Sequence, residues 1–183
     1  NISASVIAGD DKKNLNYVSN LFNTDFFKIF LSSDTKGIEM AGALKNLYAM
    51  CSGLSDGLGF ESNTKAMLLT RSLSEMSELF KKLKANPITL LGLSGVGDLI
   101  ATSSSEKSRN YSFGRLLGKG KSPNQALSMV KQSVEGYRTL KVLYFKKKKL
   151  SLKMPIIDAL YKIVYLKKDP KKCFLNFIHE SGN

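Results

Sequence analysis

One lysine in the chain stands where an amine could do chemistry. Lys45 lies in the middle of Gly37–Leu54, a stretch that is apolar nearly all round, with Ile38, Met40, Ala41, Leu44, Leu47, Tyr48, Met50 and Leu54. A helix apolar on every side is a buried one. The positions three and four residues from Lys45 are Ala41, Gly42, Tyr48 and Ala49, so no acid stands within a helical turn. An ammonium there loses water and gains no local partner, which is the setting expected of a proton carrier. The competing reading is a lysine at a helix edge whose stem packs while its ammonium reaches water. Composition leaves the two open.

Two further clusters carry polar chemistry. Leu93-Ser94-Gly95-Val96-Gly97-Asp98-Leu99 contains G-x-G, as do Gly57-Leu58-Gly59 and Gly118-Lys119-Gly120. None goes on to the third Gly or Ala of the dinucleotide fingerprint, and none follows a strand, so no phosphate loop of that kind is present. Taken alone, Asp98 reads as a helix N-cap before it reads as a catalytic group. In Thr102-Ser103-Ser104-Ser105-Glu106-Lys107-Ser108-Arg109-Asn110, Ser103 and Glu106 have capping-box spacing. Hydroxyls, an Arg and an Asn at a helix start also suit a phosphate; plain capping is the simpler reading.

Other chemistries find little support. His179 is the single histidine, and Cys51 and Cys173 have no ligand spacing, so neither a metal site nor a disulfide framework is expected. No apolar run approaches a membrane span. No basic-then-apolar signal segment follows Asn1, and the lack of an initiating Met suits a fragment or a processed product. The net charge is +13, carried by 24 Lys and only 4 Arg. Residues 141–172 hold eleven Lys against Asp158 and Asp169. Such a stretch attracts polyanions weakly, but nucleic-acid grooves favour the Arg fork, and a solvated surface is the plainer reading.

The elements that must position these residues follow from periodicity. Residues 2–8 read as a strand. Gly9-Asp10-Asp11 opens a helix with Leu15, Val18, Leu21 and Phe22 on one face, and Phe26–Ser32 reads as a second strand. This is a βαβ unit, which cannot stand alone as a parallel sheet because both faces need cover. The first 35 residues therefore look like the closing piece of a larger α/β domain. Beyond them only helices are expected. The first is the Lys45 helix, ended by Gly53, Gly57 and Gly59. The second is Asn63–Leu83, with Ala66, Leu69, Leu73, Met76 and Phe80 as its stripe, stopped by Asn86-Pro87. Shorter helices are predicted around Ile88–Leu91, after Asp98, and over Glu106–Leu117, Asn124–Val130, Glu135–Lys147, Pro155–Leu166 and Pro170–Phe177, with Pro155 and Pro170 in first turns.

Taken together, these segments resemble a known family. Gly37-x-Glu39-x-x-Gly42-Ala43-Leu44-Lys45-Asn46 is similar to a signature of NAD(P)-dependent glycerol-3-phosphate dehydrogenases. So is Gly92-Leu93-x-Gly95-x-Gly97-Asp98-Leu99-x-x-Thr102, followed by Ser108-Arg109-Asn110. Gly114-x-x-Leu117-Gly118-x-Gly120, Val134-Glu135-Gly136 and Met154-Pro155-Ile156 come in the family's order and spacing. The resemblance is to the C-terminal portion of the bacterial-type enzyme. It implies a mainly α fold: an all-α substrate domain over residues 36–183, like the C-terminal domain of 6-phosphogluconate dehydrogenase, preceded at residues 1–35 by a βαβ remnant of a Rossmann domain. Most of that cofactor domain would precede Asn1, so the chain alone is not expected to turn over.

The resemblance also implies roles. Lys45 would carry the proton at the C2 oxygen, and Asp98 would orient Lys45 and the substrate hydroxyls. Arg109, Asn110 and Ser108 would hold the substrate phosphate, with Thr102 nearby. Arg109, Glu135 and Ser133 would touch the cofactor, NAD or NADP, and Asn46 would fix the surroundings of the lysine. A phosphorylated small-molecule substrate, a cytoplasmic setting, a part in glycerophospholipid synthesis and a homodimer are implied in the same way. Two departures stand out: Ser103 occupies a position where many relatives have Cys, and the Lys-rich C-terminal third is not a family hallmark. The rival readings are another hydroxy-substrate dehydrogenase of the same superfamily, which the Ser108-Arg109-Asn110 set argues against, and a basic helical polyanion-binding module.

Overall fold

The computed structural model describes residues 2–180. β1 (Ser3–Ala8) and β2 (Phe27–Ser32) form a two-stranded parallel sheet with Ser3 opposite Phe27 and Ala8 opposite Ser32. α1 (Lys12–Phe22) makes the crossover. The Asp11 side chain accepts from the backbone N–H groups of Lys13 and Asn14 and so caps α1. The expected βαβ unit is present. No residue from 2 to 36 is buried.

Asp34 then opens α2 (Thr35–Gly57), accepting from Gly37 N at 3.0 Å. It also accepts from Asn86 N (3.2 Å) and Thr89 Oγ1 (2.5 Å), tying the start of α2 to the turn after α3 (Ser62–Lys82). Burial pulls the Asp34 carboxyl up, but the bonds from Thr89, Gly37 and Asn86 outweigh it and hold the group below its usual range. After α3 come a 3₁₀ turn (Pro87–Leu91), a π turn (Leu93–Gly97) and α4 (Asp98–Ser103). Five helices follow: α5 (Arg109–Gly118), α6 (Pro123–Val130), α7 (Glu135–Lys149), α8 (Pro155–Val164) and α9 (Pro170–Glu180).

The central packing is the parallel crossing of α2 with α5, and it corrects the reading of the glycines. Gly53 does not end the helix but lies inside α2, against the Tyr111 and Arg115 backbone of α5, and Gly57, the last residue of α2, packs against Gly118. A methyl at Gly114 would stand 1.9 Å from the Met50 carbonyl oxygen, and one at Gly53 would stand 2.0 Å from that of Tyr111. Backbone meets backbone because neither helix has side chains there. The turn out of α2 is made by Gly59, whose φ of +85° is cheap only for glycine.

Leu44, Leu47, Tyr48, Leu54, Met76, Phe80, Phe113, Leu140, Ile156 and Leu160 form the core around this crossing. One acid lies within it. Glu75 accepts from Tyr48 Oη (3.2 Å) and Ile156 N (2.7 Å), linking α2, α3 and α8. Burial pushes its carboxyl up to about 8, against the lowering effect of those two bonds.

Candidate active site

Four elements meet at an open cavity of about 580 Å³. α2 supplies Gly42, Lys45 and Asn46, and α4 supplies Thr102. The following loop and the first turn of α5 supply Lys107, Ser108, Arg109 and Asn110, and α7 supplies Glu135. The Lys45 ammonium has a partner after all. It donates to Asp98 Oδ2 as a part-buried ion pair, the two residues lying 53 positions apart in sequence. Asp98 is the first residue of α4, delivered by the π turn, and Gly97 takes the N-cap position. Thr102, one turn further on, donates to the other oxygen of Asp98 at 3.3 Å. The carboxylate is thus held on both oxygens.

A chain of amides runs behind the cavity. Asn46 Nδ2 donates to Glu135 Oε2 at 3.0 Å, and Asn110 Nδ2 donates to Asn46 Oδ1 at 2.9 Å. Gly136 N donates to Asn110 Oδ1 at 2.9 Å. Asn46 and Asn110 are both buried. Most of the Asn110 amide is therefore spent inside the protein, joining α5 to α2 and α7. On the open side, Arg109 faces Glu135 at 3.6 Å, with both side chains well exposed. Ser108 caps α5 by accepting from Tyr111 N while lining the cavity.

The expected capping box at Ser103 and Glu106 is not formed. Ser103 closes α4, fully buried, and its hydroxyl has no hydrogen-bond partner among the described residues. Glu106 pairs instead with Arg115 at 2.6 Å. A capping box does occur at α6, between Ser122 and Gln125.

Of the predicted site residues, Lys45, Asp98, Thr102, Ser108, Arg109, Asn110 and Glu135 converge. Ser133 is exposed in the approach to α7 and does not line the cavity. Lys107, a second cation on the wall, was given no role from sequence; its place two residues before Arg109 was the available signal. No cluster among the described residues could hold a metal ion.

A converging lysine–carboxylate pair beside two cations, on an all-helical body behind a βαβ unit, has close counterparts. Residues 34–175 match the family described as NAD-dependent glycerol-3-phosphate dehydrogenase C-terminus. The chain belongs to the glycerol-3-phosphate dehydrogenase family. It is 46% identical over 163 residues to the glycerol-3-phosphate dehydrogenase [NAD(P)+] of Alcanivorax borkumensis, covering 89% of this chain and 48% of that one. With the enzyme of the same name from Staphylococcus saprophyticus it shares 48% identity over 145 residues, covering 79% and 44%. The crystal structure of glycerol-3-phosphate dehydrogenase from Coxiella burnetii superposes with a TM-score of 0.93 at 29% identity, covering 97% of this chain and 55% of that one. The chain thus spans about half the length of the family members it matches. No helix among the described residues is long and apolar enough to cross a membrane.

Proposed function

We propose that this chain carries the substrate half of the active site of a glycerol-3-phosphate dehydrogenase, interconverting sn-glycerol 3-phosphate and dihydroxyacetone phosphate. The observation that carries the reading is Lys45, ion-paired to Asp98, standing on the wall of the same cavity as Arg109 and Lys107. The two ends of a short phosphorylated polyol need these two functions: a proton carrier at C2 and cations at the phosphate.

A nicotinamide cofactor, when bound, would supply the redox half of the reaction as acceptor or donor of a hydride at C2. The residues here fit one end of that group. A side chain at Gly42 would meet nothing within 4 Å, and beside it a second cavity of about 510 Å³ runs past Asp98 towards β1. That leaves room for a flat ring beside Gly42 and Asp98, while Arg109 and Glu135 line the neighbouring cavity that Gly42 shares. The dinucleotide phosphates have no cradle in the described βαβ unit, because the Asp11 carboxylate already occupies the start of α1. Their binding belongs to the half of the family's length that this chain does not span.

Lys45 takes the C2 hydroxyl proton on its amine in oxidation. In reduction its ammonium donates to the carbonyl oxygen, general acid–base catalysis worth about 10²–10⁴ in rate. Asp98, pinned by Thr102, keeps the amine aimed. Arg109 and Lys107 neutralise the phosphate, Arg109 as a fork and Lys107 as a point charge. Asn110 acts mainly by fixing the start of α5.

Residues 1–35 belong, on this proposal, to the cofactor domain, and residues 36–183 form the substrate domain. The exposed Phe26 and Phe30 beside a two-stranded sheet support further strands or helices covering it. Cys51 and Cys173 are free thiols, which suits a reducing cytoplasm. The homodimer and the part in glycerophospholipid synthesis rest on the family resemblance.

The test is Lys45→Met in the enzyme that contains this chain. Methionine keeps the packing of the stem and removes the amine. kcat is expected to fall by about two to four decades with cofactor affinity and thermal midpoint unchanged. A folded Lys45→Met enzyme with near-normal kcat would overturn the assignment.

A further inference from the structure

The lysines of residues 141–172 are used by nothing described above, and the structure sorts them. Along α7, Arg138, Val142, Phe145 and Lys149 follow one another at steps of four, three and four residues, which keeps them on one stripe of the helix. All four are exposed; Val142 is 68% and Phe145 47% accessible. Lys141 and Lys148 flank the stripe on one side and Lys146 on the other. Lys147 turns the opposite way, into the protein, where it is buried and bonds Asp158 at 2.7 Å.

The acids of residues 141–172 are likewise committed. Asp158 takes Lys147, and Asp169 accepts from the Lys172 backbone N–H at the start of α9. No carboxylate among the described residues pairs with Arg138, Lys141, Lys146 or Lys149. A surface kept soluble by charge mixes both signs. This one shows one sign around two bare apolar side chains. Phe145 stands edge-on to Tyr144 and Tyr161, with ring centroids 5.5 and 6.0 Å apart, so its ring is held in place.

We propose that the outward stripe of α7 docks on an anionic lipid surface, the cations meeting headgroup phosphates while Val142 and Phe145 enter the boundary beneath them. A cationic helix face with an apolar centre is the chemistry that binds such an interface in plane. Charge complementarity alone would admit a nucleic acid. However, the stripe has a single Arg, and its apolar pair matches an acyl boundary better than a row of bases. This proposal is independent of the reaction assigned above, since no residue of the catalytic cavity takes part.

Flotation of the full chain with vesicles tests it, using phosphatidylcholine alone and equal parts phosphatidylcholine and phosphatidylglycerol, at low and high salt. Binding is expected only with phosphatidylglycerol. It should weaken with salt, and about fivefold for each cation reversed in Lys141→Glu and Lys149→Glu. Val142→Ser with Phe145→Ser should also weaken it several-fold, by an amount that high salt does not mask. Val142→Asp, at a position that packs on little, repeats the test should loss of Phe145 disturb the aromatic cluster. Three results would overturn the proposal. One is no binding to the anionic vesicles. Another is binding indifferent to the Val142 and Phe145 variants, with equal affinity for single-stranded DNA, which is a polyanion surface only. The third is a dimer in sedimentation that Val142→Asp dissociates, which gives this face to a second copy of the chain.

Discussion

α1 and α2 carry apolar residues at helical spacing within the same chain, yet the first buries no residue and the second buries thirteen. In α1, Leu21 is 61% and Phe22 56% exposed. In α2, Leu47, Ala49 and Met50 are at 0% and even Asn46, Ser52 and Ser55 are enclosed. The difference lies in what each helix meets. α2 crosses α5 at backbone distance and is surrounded; α1 covers one side of a two-stranded sheet and buries none of its residues. An apolar stripe reports that a helix has a partner, not that the partner is within the same stretch of chain. The helical body should therefore hold nearly all the cooperative stability, and the βαβ unit should add little.

The most severe way to test this contrast is one side chain in each region. Gly114→Val would place a branched side chain where even a Cβ meets the Met50 carbonyl oxygen at 1.9 Å. Replacing a helical glycine ordinarily gains stability. Here overpacking at a fixed backbone contact is expected to cost about 3 kcal/mol or more, enough to lose the cooperative urea transition of the body. Leu21→Ser, on the exposed stripe of α1, should shift the same transition by no more than about 0.5 kcal/mol. Equal effects from the two would mean that stability is shared between the regions.

Much of this was legible in the sequence. The βαβ unit, the long Lys45 helix and the order of the shorter helices follow from local periodicity, and the structure moves their ends by a few residues. What escaped depends on distance. Gly53 looks like punctuation because a glycine's local signature is a helix end; the α5 backbone it packs against, at Tyr111 and Arg115, lies some sixty residues on. Lys45 looks unpaired because Asp98 reaches it from another element. Ser103 and Glu106 have capping-box spacing, but burial of Ser103 decides otherwise. The site residues are legible through the family resemblance and not through any one motif's chemistry, and Lys107 carries little local signal because it is one lysine among 24.

Buried polar groups sharpen the contrast further, because they place the pH dependence of stability in the body. Glu75 titrates near 8 in the folded chain, far above the ordinary carboxylate value of about 4.3. Its contribution is fully present below the unfolded pKa. Between the two values the unfolded chain ionises while the folded one keeps its proton. Stability should then fall as pH rises, by up to about 1.4 kcal/mol per unit, and level off above about pH 8. Glu75→Gln, neutral at every pH and able to accept from Ile156 N, should flatten that slope and be the more stable variant at about pH 8. Asp34 has the opposite sign: held below its usual range, it contributes above the unfolded value of about 4 and loses that contribution as the medium turns more acid. Urea midpoints across pH separate the two. An unchanged slope in Glu75→Gln would show that the carboxyl is ionised inside the fold.

The smallest effect concerns Ser103, where the body violates its own pattern of satisfied polar groups. Its hydroxyl is fully buried and, like that of Ser55, has no partner among the described residues, whereas Ser52, also buried, donates to the Ser103 carbonyl oxygen at 2.9 Å. An unpartnered buried hydroxyl costs stability, and a partnered one contributes about 1 kcal/mol. Ser103→Ala should therefore raise stability by about 0.5–1 kcal/mol, and Ser103→Cys should do the same, since a thiol loses less on leaving water. Ser52→Ala should lower it by about 1 kcal/mol, because it leaves the Ser103 carbonyl oxygen without that bond. The two serines stand on facing helices, so a double-mutant cycle reads their coupling directly. If Ser103→Ala destabilised as much as Ser52→Ala, the Ser103 hydroxyl would have to be bonded, and a buried water between α2 and α4 would be the group to look for.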